Sequence, residues 1–280
     1  MLEIPECRVI AGQLNEVLRG KRIEKAAADE THHGFAFYCG DPADYPSVLE
    51  GRQVQGAWAY GGQVAVDAGD SQMNFADGAT LRYTPPGGKI PAKRQFYLAM
   101  EDGSVITGTT RMYGSFYAYR KGEFDTPYMQ AAREKPSPLS DAFDEAYFKR
   151  LWRESQPKLS AKAFLSTEQR IPGLGNGVLQ DILFRAGIHP KSKLAALDDG
   201  DRERMFKSVK TTLAAMIQGG GRDTEKDLFG RPGGYRTLLS QKTYAMPCLE
   251  CGGPRIRQAY LGGNVYFCPV CQPLKQEKKP

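Results

Sequence analysis

Near the C-terminus four cysteines stand as Cys248-x2-Cys251 and Cys268-x2-Cys271 with 16 residues between the pairs, and no other feature restricts the fold as much. Two such knuckles roughly 15–20 residues apart present four thiolates that close a tetrahedron around Zn²⁺. The span between them alternates in polarity and turns at Gly262-Gly263, which predicts a β-hairpin with the ligands at its two ends. Four sulfur ligands leave no open coordination position, so one structural Zn²⁺ per chain is expected. Disulfides are the competing use of these residues. The opening Met1-Leu-Glu-Ile-Pro-Glu-Cys7 has neither the basic nor the apolar region of a secretory leader, which favours metal and a cytoplasmic, nucleoid-associated protein. Cys7 and Cys39 read as small core residues.

Charge is divided unevenly along the 280 residues, whose 38 Lys and Arg against 32 Asp and Glu leave a net +6. Residues 1–149 hold 16 basic and 20 acidic side chains, a balance of −4; residues 150–280 hold 22 and 12, a balance of +10. Such a split points the second half toward a polyanion. A hydrophobic content of 41% with 25% charged residues is ordinary for a folded chain and excludes a disordered or fibrous one. No run approaches the roughly 18 apolar residues of a membrane span, and no membrane partner is expected.

Periodicity divides the chain in the same place. Pro5 suits a first helical turn, Ile10, Leu14, Val17 and Leu18 share one helix face, and Gly20 supplies the stop. Short alternating runs follow, with Gly61-Gly62, Asp77-Gly78 and Asp102-Gly103 read as hairpin turns, so residues 1–130 are expected to be a β-sandwich with flanking helices. Two prolines within 131–141 mark a linker. Residues 142–240 change to helical spacing, with helices expected from Ala163 to Arg170, from Val178 to Ala186, and after Asp198 until Gly219. Residues 241–280 hold the zinc hairpin and a charged tail, 275–280, expected to fray. The expected class is an α+β multidomain fold.

A second chemical signal is the run Ile171-Pro-Gly-Leu-Gly-Asn176 entering a helix. Unpaired N–H groups and the positive end of a helix dipole, with the Asn176 amide beside them, form a phosphate site; a tight helix-helix turn is the alternative. This run resembles the formamidopyrimidine-DNA glycosylase / endonuclease VIII family, as do Leu183-Phe-Arg-Ala-Gly-Ile-His-Pro190, Pro138-Leu-Ser-Asp-Ala-Phe143, Tyr266-Phe-Cys-Pro-Val-Cys-Gln272 and the opening Glu3-Ile-Pro-Glu6. The resemblance spans the chain in order. It implies a β-sandwich, a helix-two-turn-helix domain and a zinc ribbon, with double-stranded DNA carrying a damaged base or abasic site bound between the halves by a monomer. By the same resemblance Asn176, Gly175 and Lys162 would contact DNA, and Arg111 and Tyr113 would fill the gap left by an everted nucleotide. Arg222, Asp223 and Thr224 would belong to a flexible loop over the everted base.

The family's chemistry uses an N-terminal proline freed by removal of the initiator Met, and here the chain departs from it. Position 2 is Leu, before which Met is normally retained, so the terminal amine is that of Met1. The family's lysine falls near Tyr60-Gly61-Gly62, where there is none, and its hairpin arginine falls at Gly263. Glu3 and Glu6 remain as candidate catalytic carboxylates, with the Met1 amine, and more weakly Lys89, as substitute nucleophiles. A carboxylate in a DNA cleft activates water or stabilises an oxocarbenium-like sugar without an amine. The resulting expectation is a glycosylase hydrolysing N-glycosidic bonds with a weak or absent lyase step. A non-catalytic binder of damaged DNA and an RNA-associated zinc-ribbon protein are the alternatives.

Overall fold

A computed structural model describes residues 2–110 and 112–276. Helix α1 (Ile4–Leu18) comes first, then β1 (Ile23–Ala28), β2 (Ala36–Phe37), α2 (Tyr45–Leu49), β3 (Val54–Tyr60), β4 (Gln63–Ala68), β5 (Ser71–Asp77), β6 (Thr80–Thr84), β7 (Phe96–Met100), β8 (Val105–Thr109) and β9 (Gly114–Arg120). Helices α3 (Pro127–Glu134), α4 (Glu145–Glu154), α5 (Ala161–Ser166), α6 (Leu179–Ala186) and α7 (Asp199–Gln218) precede the hairpin β10 (Ile256–Tyr260) and β11 (Gly263–Phe267).

The strands form a four-stranded sheet ordered β1-β7-β8-β6 and a five-stranded sheet ordered β2-β9-β5-β4-β3. Phe75 and Phe116 of the larger sheet meet Phe96 of the smaller, with Phe75 edge-on to Phe96 at 5.1 Å between centroids. Their burial makes the sandwich core. Helix α1 lies along the larger sheet, where Asn15 exchanges bonds of 2.7 and 2.8 Å with the Ala57 backbone. The turns at Gly61-Gly62 and Asp102-Gly103 close hairpins as expected. Asp77-Gly78 does not: β5 pairs with β4 and β9, while β6 pairs with β8, so this dipeptide carries the chain from one sheet to the other. The Gly78 N–H bonds to the Tyr113 carbonyl at 3.0 Å, and a Cβ at Gly78 would lie 2.2 Å from that oxygen, so close backbone approach is what requires the glycine.

The helical half has its own apolar core, into which Ile4 of α1 also inserts. Helix α7 opens with a reciprocal capping box between Asp198 and Asp201. Helix α5 stops at Ser166, short of the expected Arg170, because Glu168 and Gln169 take left-handed backbone angles of φ +57° and +50°. Helix α3 occupies the first residues of the segment expected to be linker. Lys275 is fastened to Asp201 at 2.5 Å, so the tail's first residue does not fray; residues 277–280 lie outside the described residues.

Candidate active site

Glu3 precedes α1 in extended conformation and does not cap its own helix. Its carboxylate reaches the glycine-rich turn before α6, where Oε1 accepts from the Gly177 N–H and Oε2 from the Val178 N–H, both at 2.8 Å. A carboxylate from the N-terminus therefore takes donors at the start of α6 that the sequence assigned to a phosphate. Glycines leave room for it: a Cβ at Gly175 would stand 2.6 Å from Glu3 Oε1, and one at Gly177 would stand 1.7 Å from Arg222 Nη1, so a side chain at either position displaces the carboxylate or the guanidinium.

Glu6, in the first turn of α1, receives a forked pair of bonds from Arg222, with Nε to Oε1 at 3.0 Å and Nη2 to Oε2 at 2.7 Å. Arg222 Nη1 also lies 3.3 Å from Glu3 Oε2. All three residues are at most 4% exposed. Two buried carboxylates thus share one buried guanidinium, and of the two Glu6 also borders the cavity described below. Burial, above all, raises the pKa of Glu3 and the Glu6 charge adds to this, against the pull of Arg222 and the two N–H donors.

Arg222 therefore faces inward, not over an everted base, and the segment around it is built into the protein. Arg222 bridges to Tyr235, Lys226 bridges to Pro232, and Leu228 is buried in the sandwich core with its N–H on Gln13 Oε1 at 3.0 Å. Asp223 accepts from the backbone and hydroxyl of Thr237. Of the three loop residues named from sequence, Thr224 faces the cavity beside Glu6.

That cavity has a volume of about 390 Å³ and is lined by Leu2, Glu6, Met112, Tyr113, Thr224, Glu225 and Lys226, among others. The Leu2 N–H donates to the Asp77 carbonyl at 2.7 Å, so the position-2 nitrogen is a hydrogen-bonded amide whose lone pair is delocalised and not nucleophilic. Met1 and Arg111 lie outside the described residues. Lys89 lines a different cavity with Arg82, Tyr83 and Phe229. Glu225 and Lys226 fall within the segment 221–229 that the resemblance gives to the loop over the everted base, although the sequence gives neither an individual role.

The position of the family's lysine is closed by packing. The Gly61-Gly62 turn rests on Pro172-Gly173 so tightly that a Cβ at Gly173 would lie 2.0 Å from the Gly62 nitrogen. The zinc-type hairpin is tied to the same loop: Asn176 Nδ2 donates to the Asn264 carbonyl at 3.0 Å, and the Tyr266 N–H donates to Gln180 Oε1 at 3.0 Å. Lys162 is buried and donates to the Tyr260 carbonyl at 2.6 Å. Asn176 stays partly exposed, whereas Lys162 holds the hairpin tip from beneath and presents no charge outward.

The four cysteine Sγ atoms lie within 4.8 Å of one another, with Cys248–Cys271 at 3.8 Å and Cys251–Cys268 at 3.4 Å. A tetrahedron of Zn–S bonds has edges of about 3.8 Å. The cluster fits a metal ion.

The description "Formamidopyrimidine-DNA glycosylase H2TH domain" belongs to the family that matches residues 135–227. Over 288 aligned positions the chain is 26% identical to the formamidopyrimidine-DNA glycosylase of Thermus thermophilus, covering 97% of this chain and 98% of that protein. The Deinococcus radiodurans protein of the same name is 26% identical, with 99% of each chain covered. Among solved structures, the MutM (Fpg) protein from T. thermophilus superimposes with a TM-score of 0.80 at 23% identity over 98% of this chain and 100% of that one. Lactococcus lactis Fpg in complex with DNA containing an abasic site gives 0.82 at 22% identity over 96% and 99%. Shared architecture, the matching helical domain and full-length similarity agree with the motifs: the chain carries the helical domain of formamidopyrimidine-DNA glycosylases and is similar to these proteins over its whole length, with leucine at position 2.

Proposed function

We propose that this protein is a DNA glycosylase of base excision repair, which binds double-stranded DNA containing a damaged base or abasic site and releases the base by hydrolysis. Its relatives carry that name, and the L. lactis neighbour was crystallised on abasic-site DNA. The observation that carries the hydrolytic reading is Glu6, a carboxylate at the cavity wall beside an amide nitrogen where the family's route needs an amine. Water adds its oxygen to the sugar C1′ and yields its proton to Glu6, while the glycosidic bond breaks and its electron pair leaves on the base, which is then protonated. Arg222 holds Glu6 in place, and Glu3 ties both to the loop before α6. Zn²⁺, one per chain, held by Cys248, Cys251, Cys268 and Cys271, is structural and stiffens the hairpin.

Glu6→Gln keeps the side chain's size and removes the proton acceptor, but it also turns one of the two oxygens that accept from Arg222 into a donor, so thermal unfolding of the variant is measured beside its activity. Release of an oxidised base from duplex DNA should fall by roughly 100-fold or more, the contribution of a positioned general base, with binding of the same duplex little changed. Unchanged base release would contradict the role of Glu6; binding of damaged duplex with no base release by wild type would establish the non-catalytic reading instead.

A further inference from the structure

We propose that Phe35 is a further DNA-contacting residue, which extends Tyr113 and Met112 into an apolar wedge that stacks on bases next to the everted nucleotide. Nothing in the motifs that carry the family likeness includes Phe35, and the proposal rests on the DNA reading above. Strand β2 runs parallel to β9 with Ala36 opposite Gly114, and the Gly114 N–H donates to the Phe35 carbonyl at 3.0 Å. One residue back along each strand, Phe35 stands beside Tyr113, and on the far side of Tyr113 lies Gly78, bonded through its N–H to the Tyr113 carbonyl. The end of the larger sheet is therefore a row of Gly78, Tyr113 and Phe35, next to Met112.

These residues are not scattered surface hydrophobics. Phe35 is 63% exposed, Met112 67% and Tyr113 38%, and Met112, Tyr113 and Gly78 line the 390 Å³ cavity that Glu6 also lines. The apolar row is continuous with the proposed DNA interface, on its rim. The Phe35 backbone is fixed on both sides, with its N–H on His33 Nδ1 at 3.3 Å and the Ala36 N–H on the His33 carbonyl at 2.9 Å, so the ring is presented on an ordered support. An apolar group pushed between bases is a general means of unstacking and kinking a duplex, and an opened step offers it two apolar base faces. Continuity with the cavity makes DNA the occupant that fits best.

The test compares wild type, Phe35→Ala and Phe35→Trp in fluorescence anisotropy titrations with a duplex carrying a tetrahydrofuran abasic analogue and with the intact duplex. A 2-aminopurine beside the abasic position reports unstacking, and sedimentation reports self-association. Phe35→Ala should lose roughly 10-fold or more in affinity for the abasic duplex, the scale of one base-aromatic stack, together with the 2-aminopurine signal. Its affinity for intact duplex should change less than about two-fold, since backbone contacts are untouched, and Phe35→Trp should retain both properties. No loss, or equal loss on both duplexes, would overturn the wedge while leaving the DNA reading intact. Conversion of a dimer to a monomer with lesion preference retained would assign the patch to self-association and overturn it too. Failure of the wild type to prefer the abasic duplex would overturn the DNA reading and the wedge together.

Discussion

Arg222→Met lowers the stability of the protein by about 3–5 kcal/mol at neutral pH, the cost of leaving buried charge unpaired. For a chain of this size that corresponds to a fall in melting temperature of roughly 10 °C. The two carboxylates that Arg222 serves are both buried, and no other cation lies in ion-pair contact with either among the described residues. The loss should also depend on pH in a definite sense. Burial already raises the Glu3 pKa in the wild type, and removal of the guanidinium raises it further. An acid whose folded-state pKa exceeds its unfolded value favours the folded state below the unfolded pKa and loses that contribution as pH rises through the folded pKa. The deficit of Arg222→Met should therefore shrink on acidification from neutral toward the ordinary Glu range, near 4.5. Addition of Glu3→Gln and Glu6→Gln to the variant should restore much of the stability at neutral pH, because no unpaired charge remains. Thermal unfolding of the three proteins, wild type, Arg222→Met and the triple variant, across pH 4–8 checks this. A deficit that grows on acidification would place the destabilisation elsewhere.

Cys268→Ser, or a strong chelator, should remove the hairpin as a folded unit. Apparent binding free energies of about 10–16 kcal/mol for structural zinc in small domains are folding free energy, and one lost thiolate forfeits much of it. The hairpin is also tied to the rest of the protein by bonds from Lys162, Asn176 and Gln180, by Gln272 Nε2 donating to the Ile188 carbonyl at 2.8 Å and by the Phe267–His189 ring contact, but these hold one edge of the unit and do not replace the bonds that join the two knuckles to each other. Loss of one equivalent of zinc, loss of amide protection in 248–272 and a large drop in DNA affinity should occur together, with the sandwich intact. Full zinc occupancy and full DNA affinity in the variant would refute the assignment.

Local signals made much of this fold legible. The four-cysteine hairpin, α1, α6 and the capped α7 all follow from spacing, periodicity and terminal residues within one segment. Asp77-Gly78 misled because the same turn chemistry serves a hairpin or a passage between sheets, and only the partners of β5 and β6 distinguish them. The Arg222 network was illegible for a different reason. Its bonds join residues 216 positions apart, and no local pattern marks an arginine in a polar loop as the buried partner of two glutamates. Separations of 174 and 175 positions likewise hid the fate of the donors at the start of α6, which the sequence assigns to a phosphate and which the chain's own Glu3 accepts from.

Hydrolysis at a site with leucine at position 2 is distinguished from amine chemistry by parallel measurement of base release and borohydride trapping on one duplex. Wild-type protein on a duplex containing an oxidised base should give released base, abasic sites that break only on alkaline treatment, and no protein-DNA adduct after borohydride. Efficient trapping, with the adduct mapped by mass spectrometry to Met1 or to Lys226 at the cavity wall, would contradict the hydrolytic reading.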